Sequence, residues 1–158
     1  MSTDAKIMQP PTKLASKVRR GGDIDPAAAI AKADAIVANV AKEFEDSLTD
    51  EFAELDRLFE IYSKSNSSQD LDAIFRRIHN LRGQGTTLGF PLISRIGTSF
   101  CRYMIERPDG IDVKPTIIEQ HLAALRCVYQ QRIEDVGDKV SQEVASALEQ
   151  VVDQELQA

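Results

Sequence analysis

A reactive site on one helical face is indicated by the types and the spacing of His79, Arg82 and Gly83. Residues three and four positions apart are neighbours on one helical face, so Arg82 and Gly83 both lie beside His79. An imidazole can act as a nucleophile, and a guanidinium can neutralise a phosphoryl group through charge-assisted hydrogen bonds. A mid-helix glycine costs about 0.5 to 1 kcal/mol relative to alanine, so we expect it to serve close approach to the ring.

Three further residues extend this face into a predicted docking surface. Phe75, one turn before His79, is expected to be exposed and to supply apolar contact area. Arg76 and Arg82 bracket the histidine with positive charge, which would attract a partner that carries carboxylates. Thr86 completes the surface. His79 lies at the edge of the apolar seam of its helix, so we predict that solvent reaches it.

The segment HNLRGQGTTLG, which begins at His79, resembles the signature of histidine-containing phosphotransfer (HPt) domains. The signature has a histidine, any residue, Leu or Phe, Lys or Arg, a glycine, then a small residue and a Leu-Gly pair. The matching residues here are His79, Leu81, Arg82, Gly83, Gly85, Leu88 and Gly89. The resemblance is specific over about 20 residues, and the helical order of residues 50 to 135 also follows the family's four-helix bundle.

The resemblance implies a phosphocarrier and not an enzyme with ATP-dependent kinase activity. His79 would accept a phosphoryl group from the aspartate of a response-regulator receiver domain, or pass it to one, and Arg82 and Gly83 would assist. The implied partners are receiver domains and a hybrid sensor histidine kinase. The chain needs no cofactor of its own, because the receiver would supply Mg²⁺.

The chain departs from the family pattern at two places. Related domains commonly direct a polar side chain, often glutamine, from the next helix towards the histidine, whereas the corresponding stretch here reads Thr98-Ser99-Phe100-Cys101-Arg102. Arg82 replaces the more usual lysine, which keeps the charge and changes a point donor into a planar fork. A phosphate partner should tolerate that change.

The elements that position this site are all helical in the sequence pattern, so we predict an all-α, antiparallel four-helix bundle with additional N- and C-terminal helical segments. Asp25 caps a first helix that starts at Pro26, and a second, possibly continuous with it, follows residue 50. Ser67 opens the third, whose buried seam extends to Leu88. A fourth begins at 91 and a fifth at 115, with a kink at 136–138 before the pattern continues to 157.

We divide the chain into a disordered basic tail, residues 1–22, and one helical domain, residues 23–158, with its core at about 50–135. The tail has a net charge of +4, so the remainder carries −10 of the chain's total of −6. That acidic balance argues against nucleic-acid binding. No signal peptide or run of about 18 apolar residues is visible, so we expect no membrane association, a cytoplasmic location and a monomer.

Other potential chemistry in the chain is assigned structural roles. Cys101 and Cys127 lack metal-ligand spacing and are predicted to be reduced core thiols. His121 is interpreted as a structural or surface residue. No HxxxH or HExxH pattern and no glycine-rich phosphate loop occurs, so no metal site is predicted.

Two rival functions compete with phosphotransfer. The first is a non-catalytic helical adaptor or dimerisation protein with His79 unphosphorylated, in which Val140, Val144, Leu148 and Val151 of the last helix pair with another protein or a second copy. We favour packing of that stripe on the first helix instead. The second is an enzyme that uses His79 as a general base, which is disfavoured because no second acid or base accompanies it.

Overall fold

The computed structural model describes residues 25–158, so the predicted tail at residues 1–22 lies outside the described residues. The described residues form five α-helices and no strand, which confirms the all-α prediction. The helices are α1 Pro26–Ser65, α2 Ser68–Gly85, α3 Pro91–Glu106, α4 Pro115–Gln130 and α5 Lys139–Gln157. Among them, none is both long enough and apolar enough to cross a membrane.

Capping residues and prolines set the helix starts as the sequence predicts. The Asp25 carboxylate accepts a hydrogen bond from the Ala27 amide at 3.1 Å ahead of Pro26. The Ser67 hydroxyl accepts from the Gln69 amide at 3.2 Å. Each bond satisfies an amide that has no partner within its helix.

The first two predicted helices are one continuous helix of 40 residues, α1. The chain divides into two compact units between Phe44 and Glu45, so α1 contributes to both. In the first unit its large aliphatic side chains are more than half exposed; these are Ile30, Ile36, Val37 and Val40. In the second unit α1 supplies buried residues at three- and four-residue steps, namely Leu48, Phe52, Leu55, Leu58 and Tyr62.

Helix α3 is the centre of the second unit. It packs against α2, α4 and α5, and half of its residues are buried; these are Leu92, Ile93, Ile96, Gly97, Ser99, Phe100, Cys101 and Tyr103. Helix α2 buries the predicted seam at Ile74, Ile78, Leu81 and Gly85. Leu88, predicted to belong to that seam, is only half-buried, because α2 ends at Gly85 and Leu88 lies in the following turn.

The predicted kink at residues 136–138 is a full break between two helices. Helix α4 ends at Gln130, and the connection contains three left-handed residues, Arg132, Asp135 and Gly137. A side chain on Gly137 would lie 2.6 Å from Leu92 Cδ1, and its φ of +73° also favours glycine. Asp138 then caps α5 by accepting from the Ser141 amide at 2.8 Å.

The last helix, α5, lies against α3 and α4. Arg95 of α3 forms an ion pair with Glu149 at 2.7 Å, and Arg102 forms one with Asp153 at 2.6 Å. The buried residues of α5 are Ala145, Leu148 and Val152, whereas Val140 and Val144 are exposed. The close approach of Gly137 to Leu92 brings the chain back onto α3 before α5 begins.

The two cysteines differ in environment. Both thiols are free, but Cys101 is buried and Cys127 is exposed, so the prediction of two core thiols is wrong for Cys127. Helix α4 directs Val128, the next residue, into the core and leaves Cys127 on its solvent side.

His121 of α4 is fully buried, so its role is structural. Its Nδ1 donates to the Ile117 carbonyl at 2.8 Å, and its Nε2 lies 3.0 Å from the Ser99 hydroxyl, which donates to it in the neutral ring. The ring also packs on Phe100, with centroids 5.8 Å apart. Burial lowers the pKa of His121, although the bond to Ile117 opposes this shift. The interior therefore favours the neutral imidazole.

This histidine predicts a pH dependence of stability. In the unfolded chain His121 takes up a proton near its ordinary pKa of about 6.5. In the folded chain it takes up a proton only at lower pH, because its pKa is lowered. The contribution of neutral His121 to the free energy of unfolding is therefore fully present above about pH 6.5. It falls as the pH drops towards the folded-state pKa, by at most about 1.4 kcal/mol per pH unit. Denaturant unfolding at pH 7.5, 6.5 and 5.5 measures it. In His121→Gln the slope should be smaller, and an unchanged slope would contradict the assignment.

Candidate functional site

His79 is exposed on α2, as predicted, and one guanidinium is directed at its ring. Arg82 Nη2 lies 3.3 Å from His79 Nε2. A guanidinium has only donors, so Nε2 must be the acceptor in this bond. In the neutral ring the proton is then on Nδ1, and the lone pair of Nε2 is the nucleophilic position.

The predicted docking residues lie on α2 and in the turn that follows it, with different exposures. Phe75 is half-buried and not exposed, because its ring packs on the imidazole with centroids 5.9 Å apart. Arg76 is exposed and forms an ion pair with Asp72 at 2.9 Å on its own helix. Pairs of this kind contribute at most about 1 kcal/mol, so a partner could displace Asp72 from Arg76.

Helices α2 and α3 approach closely at Gly85. A Cβ on Gly85 would lie 2.7 to 2.9 Å from the Ser94 hydroxyl, the Ser94 amide and the Phe90 carbonyl. The turn between the helices depends on Gly89, whose φ is +85°. Gly85 therefore permits the close packing of α2 on α3.

Ser94 of α3 joins the end of α2 to α3. Its hydroxyl donates to the Arg82 carbonyl at 2.8 Å. It also accepts from the Thr86 amide at 2.9 Å and from the Thr86 hydroxyl at 3.0 Å. Thr86 remains exposed, as the docking surface requires. Nothing in the sequence pattern singled out Ser94, because its partners are backbone atoms on another helix.

Gly97 is a second residue that sequence analysis missed. A Cβ placed on it would lie 3.0 Å from Arg82 Cβ and 3.4 Å from Arg82 Cα. Glycine is therefore the only residue that fits without a shift of α2 or of Arg82. A glycine within an apolar helical run was the available signal.

Gly83 differs from these two glycines. It is exposed, and a Cβ on it would meet nothing within 4 Å. Packing within the described part of the chain therefore gives no reason for a glycine at this mid-helix position. The free surface it leaves is next to His79.

In the stretch from Thr98 to Arg102, three polar side chains bond to partners other than His79. Thr98 donates to the Ser94 carbonyl, and Ser99 bonds to His121. Arg102 is paired with Glu106 and Asp153. Burial raises the pKa of the Cys101 thiol, and the charge of Arg82 partly offsets that rise.

Comparison with known proteins identifies the family. A family model for the Hpt domain matches residues 39–158, and the chain therefore belongs to the Hpt domain family. No curated protein and no solved structure shows significant similarity to it. Hpt domains carry phosphoryl groups on histidine in phosphorelays, interact with receiver domains and kinases, and are not themselves kinases. Within residues 25–158 no group of three or more His, Cys, Asp or Glu residues could hold a metal ion.

The contrast between two glycines of α2 predicts opposite effects of one substitution. Gly83→Ala should raise the free energy of unfolding by about 0.5 to 1 kcal/mol, because the methyl enters open space and the helix propensity improves. Gly85→Ala should lower it by about 1 to 3 kcal/mol, because backbone atoms of α3 must move. Urea unfolding measures both. Equal signs for the two changes would contradict the packing described here.

Proposed function

We propose that this protein is a phosphocarrier that exchanges a phosphoryl group between His79 and the aspartate of response-regulator receiver domains. His79 is the phosphoacceptor, and Arg82 and Gly83 assist the transfer. Phe75, Arg76 and Thr86 contact the partner. The observation that carries the proposal is an exposed imidazole, bonded at Nε2 by Arg82, beside a mid-helix glycine for which packing gives no reason.

The transfer step needs only a nucleophile from this chain. The lone pair of Nε2 attacks the phosphorus of the receiver's phosphoaspartate, a P–N bond forms, and the P–O bond to the aspartate breaks. The carboxylate leaves with the electron pair, and the proton on Nδ1 stays in place. Reversal of the step passes the phosphoryl group to another receiver.

Arg82 supports this step from its resting position. Its guanidinium lies one hydrogen bond from Nε2, so it can turn its donors to the phosphoryl oxygens as they arrive. Hydrogen bonds between a guanidinium and phosphate are charge-assisted and among the stronger ones in proteins. Gly83 contributes by leaving the approach to the ring open.

The remaining requirements of the reaction fall to the partner. The receiver provides the phosphoaspartate and the Mg²⁺ that neutralises the phosphoryl charge, and a hybrid sensor kinase is the expected source of phosphate. In this proposal the chain acts as a monomer and contributes a surface to an active site that the partner completes.

Replacement of the histidine tests the proposal directly. A receiver domain carrying ³²P on its aspartate is incubated with the chain, and acid-labile label on the chain is followed. We expect wild type to take up label and His79→Gln to take up none, because an amide has no nucleophilic ring nitrogen. His121→Gln is the matched control, since that ring is buried and should not accept phosphate. Label that persists in His79→Gln would exclude His79 as the acceptor.

Gly83→Lys separates access from stability. The substitution should raise the free energy of unfolding by about 0.5 to 1 kcal/mol, because lysine is a better helix former than glycine. It should nevertheless abolish transfer, because the long side chain occupies the approach to His79. Helicity is measured by circular dichroism and transfer by label.

Gln84→Lys is the matched control for Gly83→Lys. Gln84 is exposed, and five positions after His79 its direction is rotated by about 140° around the helix. Gln84→Lys should therefore retain transfer. Transfer by Gly83→Lys at the wild-type rate would overturn the role given to Gly83.

The second candidate function is a non-catalytic adaptor. It is favoured by the exposure of Val140 and Val144 on α5, where an amphipathic partner could pack. The labelling experiment distinguishes the two functions. If wild type takes no acid-labile phosphate from any receiver of its own genome, the carrier function fails and the adaptor remains.

A further inference from the structure

We propose that Gly97 of α3 is a positioning residue for Arg82, and that Ser94 assists it by holding the Arg82 backbone. The proposal rests on the proposed function, in which Arg82 acts on the phosphoryl group at His79. Gly97 and Ser94 touch neither the imidazole nor the phosphoryl group and act only through Arg82.

The space around Gly97 is occupied by Arg82 itself. The three atoms nearest to a Cβ on Gly97 are Arg82 Cβ at 3.0 Å, Arg82 Cα at 3.4 Å and Arg82 Cγ at 3.5 Å. By contrast, the nearest atoms at Gly85 belong to Ser94 and Phe90. A methyl group at position 97 would therefore push on the Cβ and Cα of Arg82, whose guanidinium bonds to His79, and not only on the helix interface.

Ser94 restrains the same residue from its other end. Its hydroxyl donates to the Arg82 carbonyl at 2.8 Å, one turn of α3 before Gly97. The carbonyl and the side-chain root of Arg82 are thus both held against α3. With these two points held, the guanidinium starts from a defined position when it reaches Nε2, 3.3 Å away. Because the guanidinium is positioned before the reaction, less conformational entropy is lost when the long Arg82 side chain becomes ordered during transfer.

The test combines transfer rates with a spectroscopic measurement that needs no phosphate. The variants are Gly97→Ala, Arg82→Ala, the double variant and Ser94→Ala, the last of which adds no atoms and guards against misfolding of Gly97→Ala. Ser99→Ala is the control, because it alters a buried residue of α3 that bonds to His121 instead. Imidazole ¹⁵N spectra report the Arg82 hydrogen bond at Nε2, and label uptake from a phosphorylated receiver reports the rate.

We expect Gly97→Ala to slow transfer by about threefold to tenfold, which corresponds to the net value of one hydrogen bond. Its Nε2 resonance should move towards that of Arg82→Ala. Ser94→Ala should shift both readouts in the same direction, and Ser99→Ala should lower stability without altering either. The double variant should be no slower than Arg82→Ala alone, because Gly97 acts through Arg82.

Three results would overturn the proposal. A double variant slowed by the product of the single effects would show that Gly97 acts through helix packing. An Nε2 resonance that is unchanged in both Gly97→Ala and Ser94→Ala, or identical in wild type and Arg82→Ala, would show that α3 does not position the guanidinium. Failure of the proposed function is distinct from these results, since wild type would then take no label while the Nε2 spectra still decide the positioning role.

Discussion

The close approach of α2 and α3 is the constraint on which the site depends. Two glycines make it possible from opposite sides: Gly85 of α2 lies against Ser94 and Phe90, and Gly97 of α3 lies against Arg82. Protein interiors have no spare volume for a methyl group at such distances. With the two backbones this near, a single hydroxyl, that of Ser94, can bond to both the Arg82 carbonyl and the Thr86 amide. The exposed end of α2 is thereby fixed to the most buried helix.

The rigidity of α3 comes from its position in the bundle. Its inner residues are buried between α2, α4 and α5, and Arg95 and Arg102 tie it to α5 by ion pairs. Ser99 bonds to the buried His121 of α4. The core positions the site, while His79 remains in solvent.

The three glycines of the α2–α3 pair illustrate a division between stability and access. Gly85 and Gly97 allow α2 and α3 to pack closely. The contacts so formed offset the free energy that a glycine costs within a helix. Gly83 allows no such contact, because a Cβ on it would meet nothing within 4 Å. A carrier whose active site is completed by another protein needs that space. This requirement is consistent with the chain's membership of the Hpt family and with the exposure of His79.

The sequence by itself determined the helical class, the helix starts at Asp25–Pro26 and Ser67, and the motif around His79, because these depend on local spacing and capping. Only the tertiary structure decided what depends on contacts between distant segments. Gly97 and Ser94 meet Arg82 across two helices, and Phe75 is half-buried because its ring packs on His79. Likewise, α5 packs on α3 and α4, because the connection after α4, whose left-handed residues no hydrophobic periodicity predicts, redirects the chain.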